Sequence, residues 1–416
     1  MSTQLADSQL LKLLEVSKNR AIELVRPVLR EADAGLPDQE LLNRFALICF
    51  SNLIEPGDRV AKEFCRQFGD QGALEKIANW VINQKITSIE EFGANTALRQ
   101  SDLEAAIDRW RPRFSLQKFR ASLEWLGRLD CEIICESDSA WPKGLNSLEF
   151  HSPIILYSIG NKSIDLDFRG VALVGSRAIS PYGRWVTKEF SEALVDSGRP
   201  VISGGAFGVD AIAHQSALSA DGSTVAVMAG GLDQFYPAGN IQLIEQIGER
   251  GLVLAEVPPG FSPTKWRFLQ RNRLIAAMSR ATVVVEAGFR SGSINTANHA
   301  VALGREVGAV PGSIDSSTSA GCHELIRSGK ASLVASPNHL LDMLESSIKL
   351  DVFEPRLTGD QTRVLDAIGG TAASEESIVK RAGLSFSELR MTLAQLELEG
   401  QVVRKNLKWA RTSRNL

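Results

Sequence analysis

The segment Lys265-Trp-Arg-Phe-Leu-Gln-Arg-Asn-Arg273 interleaves four cations with two aromatic rings. No acid occurs between Glu256 and Glu286, and Arg280 adds a further positive charge there. Cations that neutralise phosphates beside rings that stack on bases hold single-stranded nucleic acid without reading its sequence, each stacked base contributing about 1–3 kcal/mol. A solvated basic helix face explains the charges but not Trp266 and Phe268 in what reads as a loop. The loop Gly175-Ser176-Arg177 offers a second phosphate site, with backbone amides, a following helix end and the guanidinium fork of Arg177. Its plainer alternative is a tight turn with Arg177 in a surface ion pair.

A further glycine loop, Ser203-Gly204-Gly205-Ala-Phe-Gly-Val-Asp210, opens a helix carrying His214. Its GGxxG spacing and the lack of an acid capping the next strand, Asp233 apart, argue against dinucleotide binding. The absence of GxxxxGK[ST] argues against a P-loop ATPase. Asp210 and His214, one helical turn apart, are expected to hold structure rather than transfer protons. Arg290-Ser-Gly-Ser293 and Thr296 offer hydroxyls to a phosphate, with Ser293 as the expected helix cap.

These residues are positioned by a repeated event between Val171 and Gly312. An apolar β-branched run is followed by a helical pattern, with starts near 171, 201, 225, 253, 283 and 307. Runs apolar on both faces and one crossover helix apart imply an α/β fold, a Rossmann-like, doubly wound and mainly parallel sheet. Glycines 175, 204, 205, 230, 231 and 312 end four of the runs, at the carboxyl edge where such sheets bind ligands.

The flanking segments supply the expected domains. Residues 1–113 read as an N-terminal helical, SAM-like domain in which Leu10, Leu11, Leu14, Ile22 and Val25 recur at helical spacing. Its Pro56-Gly57 turn has the outline of a helix-hairpin-helix, but a helical bundle held by its own apolar faces is the better account. Residues 114–165 form a connector whose short strands at Cys131–Cys135 and Pro153–Tyr157 extend the sheet, and 166–350 form the Rossmann-like domain. A linker, 351–359, leads to a winged helix at 360–416: helix 360–368, a helix after Ser374, a break at Gly383, helix 385–399 and a hairpin. Its recognition helix carries Arg390 against Glu388, Glu397 and Glu399, so any DNA contact falls to Arg404, Lys405, Lys408, Arg411 and Arg414 of the wing and tail.

The 416 residues are 44% hydrophobic and 23% charged, with a net charge of −3, so nucleic-acid binding requires local clustering. Five scattered cysteines without CxxC spacing imply a reduced, cytoplasmic protein with no structural metal, and no cofactor is expected. Neither a membrane span nor a signal peptide is read.

GSR at 175–177, SGGAFGVDAIAH at 203–214, AGGLDQFYP at 229–237, RNRLIAAMS at 271–279, EAGFRSGSINTA at 286–297 and AVPG at 309–312 occur in that order. Together they resemble the DNA-processing protein A family, DprA or Smf, most strongly over about 115–345. The resemblance implies a dimeric, non-enzymatic recombination mediator that binds single-stranded DNA and loads the RecA recombinase during natural transformation. It places a phosphate-binding arginine at Arg177, a phosphate-binding lysine at Lys265, a base-contacting ring at Phe268 and a pocket-lining RNR at Arg271, Asn272 and Arg273. The sequence departs from the pattern at Ile54-Glu-Pro-Gly57-Asp, where the family carries its hairpin motif, and at Phe268-Leu269, where Phe-Pro is usual. The expected contact set is Gly175, Ser176, Arg177, Gly204, Gly205, Lys265, Trp266, Arg267, Phe268, Arg271, Asn272, Arg273 and Ser293. The alternative is a nucleotide-binding sensor, or an enzyme of the cytokinin-activating N-glycosidase type. That enzyme's PGGxGT…E phrase is missing around Glu286.

Overall fold

The computed structural model describes residues 14–30, 33–83, 88–92, 98–161, 164, 169–346, 357–405 and 407–412. The expected helix start at Leu10 and Leu11, linker residues 351–356 and Arg414 lie outside the described residues. Among the described residues five helices come first: α1 (Lys18–Val25), α2 (Asp38–Ser51), α3 (Arg59–Asn83), α4 (Gln100–Trp110) and α5 (Leu116–Arg128). Two short strands follow, β1 (Glu132–Ile134) and β2 (Leu156–Gly160).

Each of the six β-branched runs is a strand: β3 (Val171–Val174), β4 (Val201–Ser203), β5 (Thr224–Met228), β6 (Leu252–Ala255), β7 (Ala281–Val284) and β8 (Glu306–Ala309). With β9 (Ser332–Leu333) they form a sheet of order β1-β2-β6-β5-β4-β3-β7-β8-β9. β3 to β9 pair in parallel, while β2 adds antiparallel to β6 and β1 to β2. The crossover helices are α6 (Pro181–Asp196), α7 (Val209–Ser219), α8 (Ile241–Arg250), α9 (Lys265–Met278) and α10 (Gly292–Ala302), followed by α11 (Ala320–Arg327) and α12 (Pro337–Ser346).

Strand alternation sends side chains to both faces. Val225, Val227, Leu252 and Leu254 pack under α9, while Ala226, Met228, Val253 and Ala255 face α7 and α8. That second core runs on without a break into the N-terminal helices, through Phe45, Phe50, Trp80 and Trp110. Those helices are therefore seated on the sheet rather than closed upon themselves. The winged helix comprises α13 (Gly359–Ile368), α14 (Glu375–Ala382), α15 (Phe386–Leu398) and a hairpin of β10 (Val402–Lys405) with β11 (Lys408–Arg411). Capping boxes at Thr358/Gln361 and Ser385/Glu388 start α13 and α15, and Gly383 ends α14 in the left-handed conformation. No helix among the described residues is long and apolar enough to cross a membrane.

Candidate nucleic-acid interface

The strand order reverses between the parallel neighbours β3 and β7, so their carboxyl ends open the crevice where doubly wound sheets take ligands. The GSR loop leaves β3 there, held by a hydrogen bond from Ser176 N to Glu286 O at 2.7 Å. A Cβ on Gly175 would lie 2.5 Å from Val209 and 2.9 Å from Glu286 O, so only glycine fits this turn.

The basic segment is not a loop. Thr264 caps it, its hydroxyl accepting from Arg267 N, and Lys265 is the first residue of α9. Helical geometry then divides the segment into two faces. Lys265, Phe268 and Asn272, with Arg271 at their margin, share one face. Trp266, Gln270 and Arg273, with Arg267 at their margin, share the opposite one.

The first face meets the carboxyl edge. The guanidinium carbons of Arg177 and Arg271 lie 5.3 and 5.8 Å from the centroid of the Phe268 ring, and the Tyr236 ring lies beside it at 5.6 Å. Arg177 and Lys265 are exposed and make no ion pair among the described residues. Arg271 is buried and donates to the carbonyls of Gly204, at 2.7 Å, and Val227, while Asn272 Oδ1 accepts from its Nε at 3.2 Å. Burial lowers its pKa to about 10, offset in part by the charge of Asp210. A Cβ on Gly204 would fall 2.2 Å from Arg271 Nη1, which gives that glycine a steric purpose.

The second face is a junction between three parts of the molecule, and it corrects three expected contacts, with a fourth corrected on α10. Arg267 donates to both oxygens of Glu55, each at 3.1 Å, and to Ser262 O. Arg273 donates to Glu256 at 2.6 and 2.5 Å, with its side chain 2% exposed. Trp266 packs against the winged-helix core, away from the crevice. Gln270 accepts from Arg363 of α13 at 2.7 Å, and Arg363 also donates to Ala382 O. These side chains are turned into the junction, so Trp266, Arg267 and Arg273 do not reach the crevice. Ser293, the fourth, is buried with its hydroxyl bonded to Ser291, and Ser291 is the residue that caps α10. Arg280 lies at the amino end of β7, its amide on Gly170 O, on the far edge of the sheet.

Two amides of the second glycine loop are occupied too. Gly204 N and Ala206 N donate to Asp210 Oδ2 at 3.1 and 3.4 Å, and Gly205 O accepts from Asn240. Asp210 is thus a loop clamp. His214 is buried against Thr224 Oγ1 at 2.7 Å, and burial holds its pKa at about 3. Neither is placed to work as an exposed acid or base. Glu286 accepts from the Ser180 amide at 2.9 Å and hydroxyl at 2.5 Å, and the N-terminus of α6 closes over it so tightly that a Cβ on Gly183 would lie 2.3 Å away.

The outer domains also turn charges inward. Gly57 N donates to Glu256 at 2.8 Å and Gly57 O accepts from His151, so the hairpin turn is plugged into the junction. Arg59 pairs with Glu388 at the start of α15, which docks the recognition helix on the N-terminal helices. In the wing, Arg404, Lys405 and Lys408 are exposed. Arg411 is instead drawn in against Asp366 at 3.4 Å, and Asp366 also takes His299 at 2.9 Å, so Arg411 leaves the expected basic strip. Tyr236 and Phe207 are ring contributors that the charge pattern did not single out. Both stand within phrases quoted above, FYP at 235–237 and GGAF at 204–207.

The fold and this edge define a Rossmann-like protein whose ligand site suits a phosphate chain next to a flat ring. Residues 132–345 match the family model for DNA recombination-mediator protein A, and 353–406 match the DprA winged helix domain. The chain belongs to the DNA recombination-mediator protein A family, DprA/Smf. Protein Smf of Escherichia coli is 32% identical over 347 residues, covering 80% of this chain and 90% of its own. The solved DprA of Streptococcus pneumoniae is similar with a TM-score of 0.55 and 30% identity, over 72% of this chain and 96% of that one. A DprA structure from Helicobacter pylori, described for its single-stranded DNA binding mode, gives a TM-score of 0.48 and 30% identity over 53% of this chain and 97% of that one.

Proposed function

We propose that this protein binds single-stranded DNA at the β3/β7 crevice and serves as a non-enzymatic recombination mediator. The observation that carries this reading is the Phe268 ring next to Arg177 and Arg271, with Lys265 one turn away on the same face of α9. Arg177 and Lys265 take phosphates, Phe268 takes a base, and Arg271 acts from beneath as a buried positive charge held by Gly204 and Asn272. Gly204 N and Ala206 N serve Asp210 and Ser176 N serves Glu286 O, so the grip is made chiefly by side chains. Gly175, Ser176, Gly204 and Gly205 shape the crevice.

The finer roles belong to the same proposal and rest on family membership. The protein delivers RecA onto incoming single strands in natural transformation, acts as a homodimer and works in the cytoplasm. Support for a binder over an N-glycosidase comes from Glu286, whose carboxylate is committed to Ser180.

The test is fluorescence anisotropy with labelled oligothymidine across a salt series. Arg177→Ala and Lys265→Ala each weaken binding and each lower the slope of log affinity against log salt by about 0.7, with unchanged thermal unfolding. Wild-type affinity in both variants rejects the site.

A further inference from the structure

A second concave surface begins where the Phe268 cluster ends. It is an open groove lined by Arg177, Arg184, Phe207 and Gln215, with Ala211 and Ile212 at its floor. No acidic residue lines it, and neither Arg177 nor Arg184 makes an ion pair among the described residues. Phe207 is 46% exposed, which leaves ring surface open to a ligand in the groove. The ring is nonetheless fixed in place. A Cβ on Gly239 would lie 2.9 Å from it, so it rests against the backbone of the loop after Tyr236.

Arg177 belongs to both surfaces, over the Phe268 ring on one side and lining the groove on the other. We propose that the groove is a second subsite for the same single strand, one that continues the track beyond Arg177. Arg184 takes a phosphate there and Phe207 stacks on a base. The chemistry repeats that of the first cluster, cation then ring, on a neighbouring loop-and-helix pair, and it rests on the reading given under Proposed function. The charge complementarity fits a phosphodiester chain, and the single projecting ring fits a base plane.

The proposal makes binding length-dependent. Oligothymidines of about 4 and about 16 nucleotides, the limits of typical single-strand sites, are titrated against the full chain and its variants. Phe207→Ala weakens the longer oligomer about tenfold, about 1.4 kcal/mol, and leaves the shorter one unchanged, whereas Phe207→Trp keeps wild-type affinity for both. Arg184→Ala lowers the salt slope for the longer oligomer alone by about 0.7. The proposal is overturned if these variants bind the longer oligomer as the wild type does, or if they lose affinity equally at both lengths. Failure of the underlying reading looks different. In that case the wild-type chain binds neither oligomer, or Arg177→Ala binds both unchanged.

Discussion

Replacing Glu256 with alanine separates a structural role for the RNR arginines from a DNA-binding one. Glu256 accepts two hydrogen bonds from Arg273, whose side chain is 2% exposed, and one from Gly57 N. Arg363 lies close enough to Arg273 for the two like charges and burial to lower its pKa to about 10, with Glu256 among the carboxylates that offset them. Without Glu256, two buried guanidinium groups face one another and Arg273 keeps no carboxylate partner. Breaking a buried pair from one side costs about 3–5 kcal/mol. For a cooperative unit of about 200 residues, at about 2–4 °C per kcal/mol, the midpoint of thermal unfolding falls by about 6–20 °C. Differential scanning calorimetry measures this, and oligothymidine titration of the variant at low temperature gives near wild-type affinity. A variant that melts like the wild type but no longer binds DNA would refute the assignment of Arg273 to the junction.

Two further outcomes follow from the site's construction. Gly204→Ala drives a methyl group into Arg271, with an expected loss of about 1–3 kcal/mol in stability and weaker oligothymidine binding; denaturant unfolding and anisotropy together check it, and wild-type values in both contradict it. Burial keeps the His214 imidazole neutral down to a pKa of about 3 against the usual 6.5. The unfolded chain takes up that proton first, so the stability this supplies is complete above pH about 6.5 and is lost as pH falls toward 3, at up to about 1.4 kcal/mol per pH unit. Urea unfolding between pH 7 and 4 shows a shallower pH dependence in His214→Gln, and an unaltered slope contradicts the assignment.

The strands were legible because six β-branched runs carry their own burial pattern and glycine stops. The winged helix was legible for similar local reasons, since Thr358, Ser374, Gly383 and Ser385 mark its helix ends within a turn or so. What a linear reading of the basic segment missed was the partner of each cation. Arg267 finds Glu55, 212 positions away, and the Arg273 carboxylate lies 17 positions back beyond a turn. Once Thr264 caps a helix, alternate residues of KWRFLQRNR part to opposite faces, and equal charges in the sequence acquire unequal roles. Phe207 and Tyr236 went unnoticed because the charges near them in the chain, Asp210 and Asp233, are acidic and mark no phosphate site. They matter only where the fold sets them beside Arg177 and Phe268.

The central claim is that one face of α9, together with Arg177, grips an unpaired strand. A crystal structure of the protein with a short oligothymidine tests it most directly. The account predicts phosphates against Arg177 and Lys265 and a base on the Phe268 ring, with Arg267 and Arg273 still paired to Glu55 and Glu256. A strand lying instead across Arg404, Lys405 and Lys408 of the wing, with the crevice empty, would contradict it.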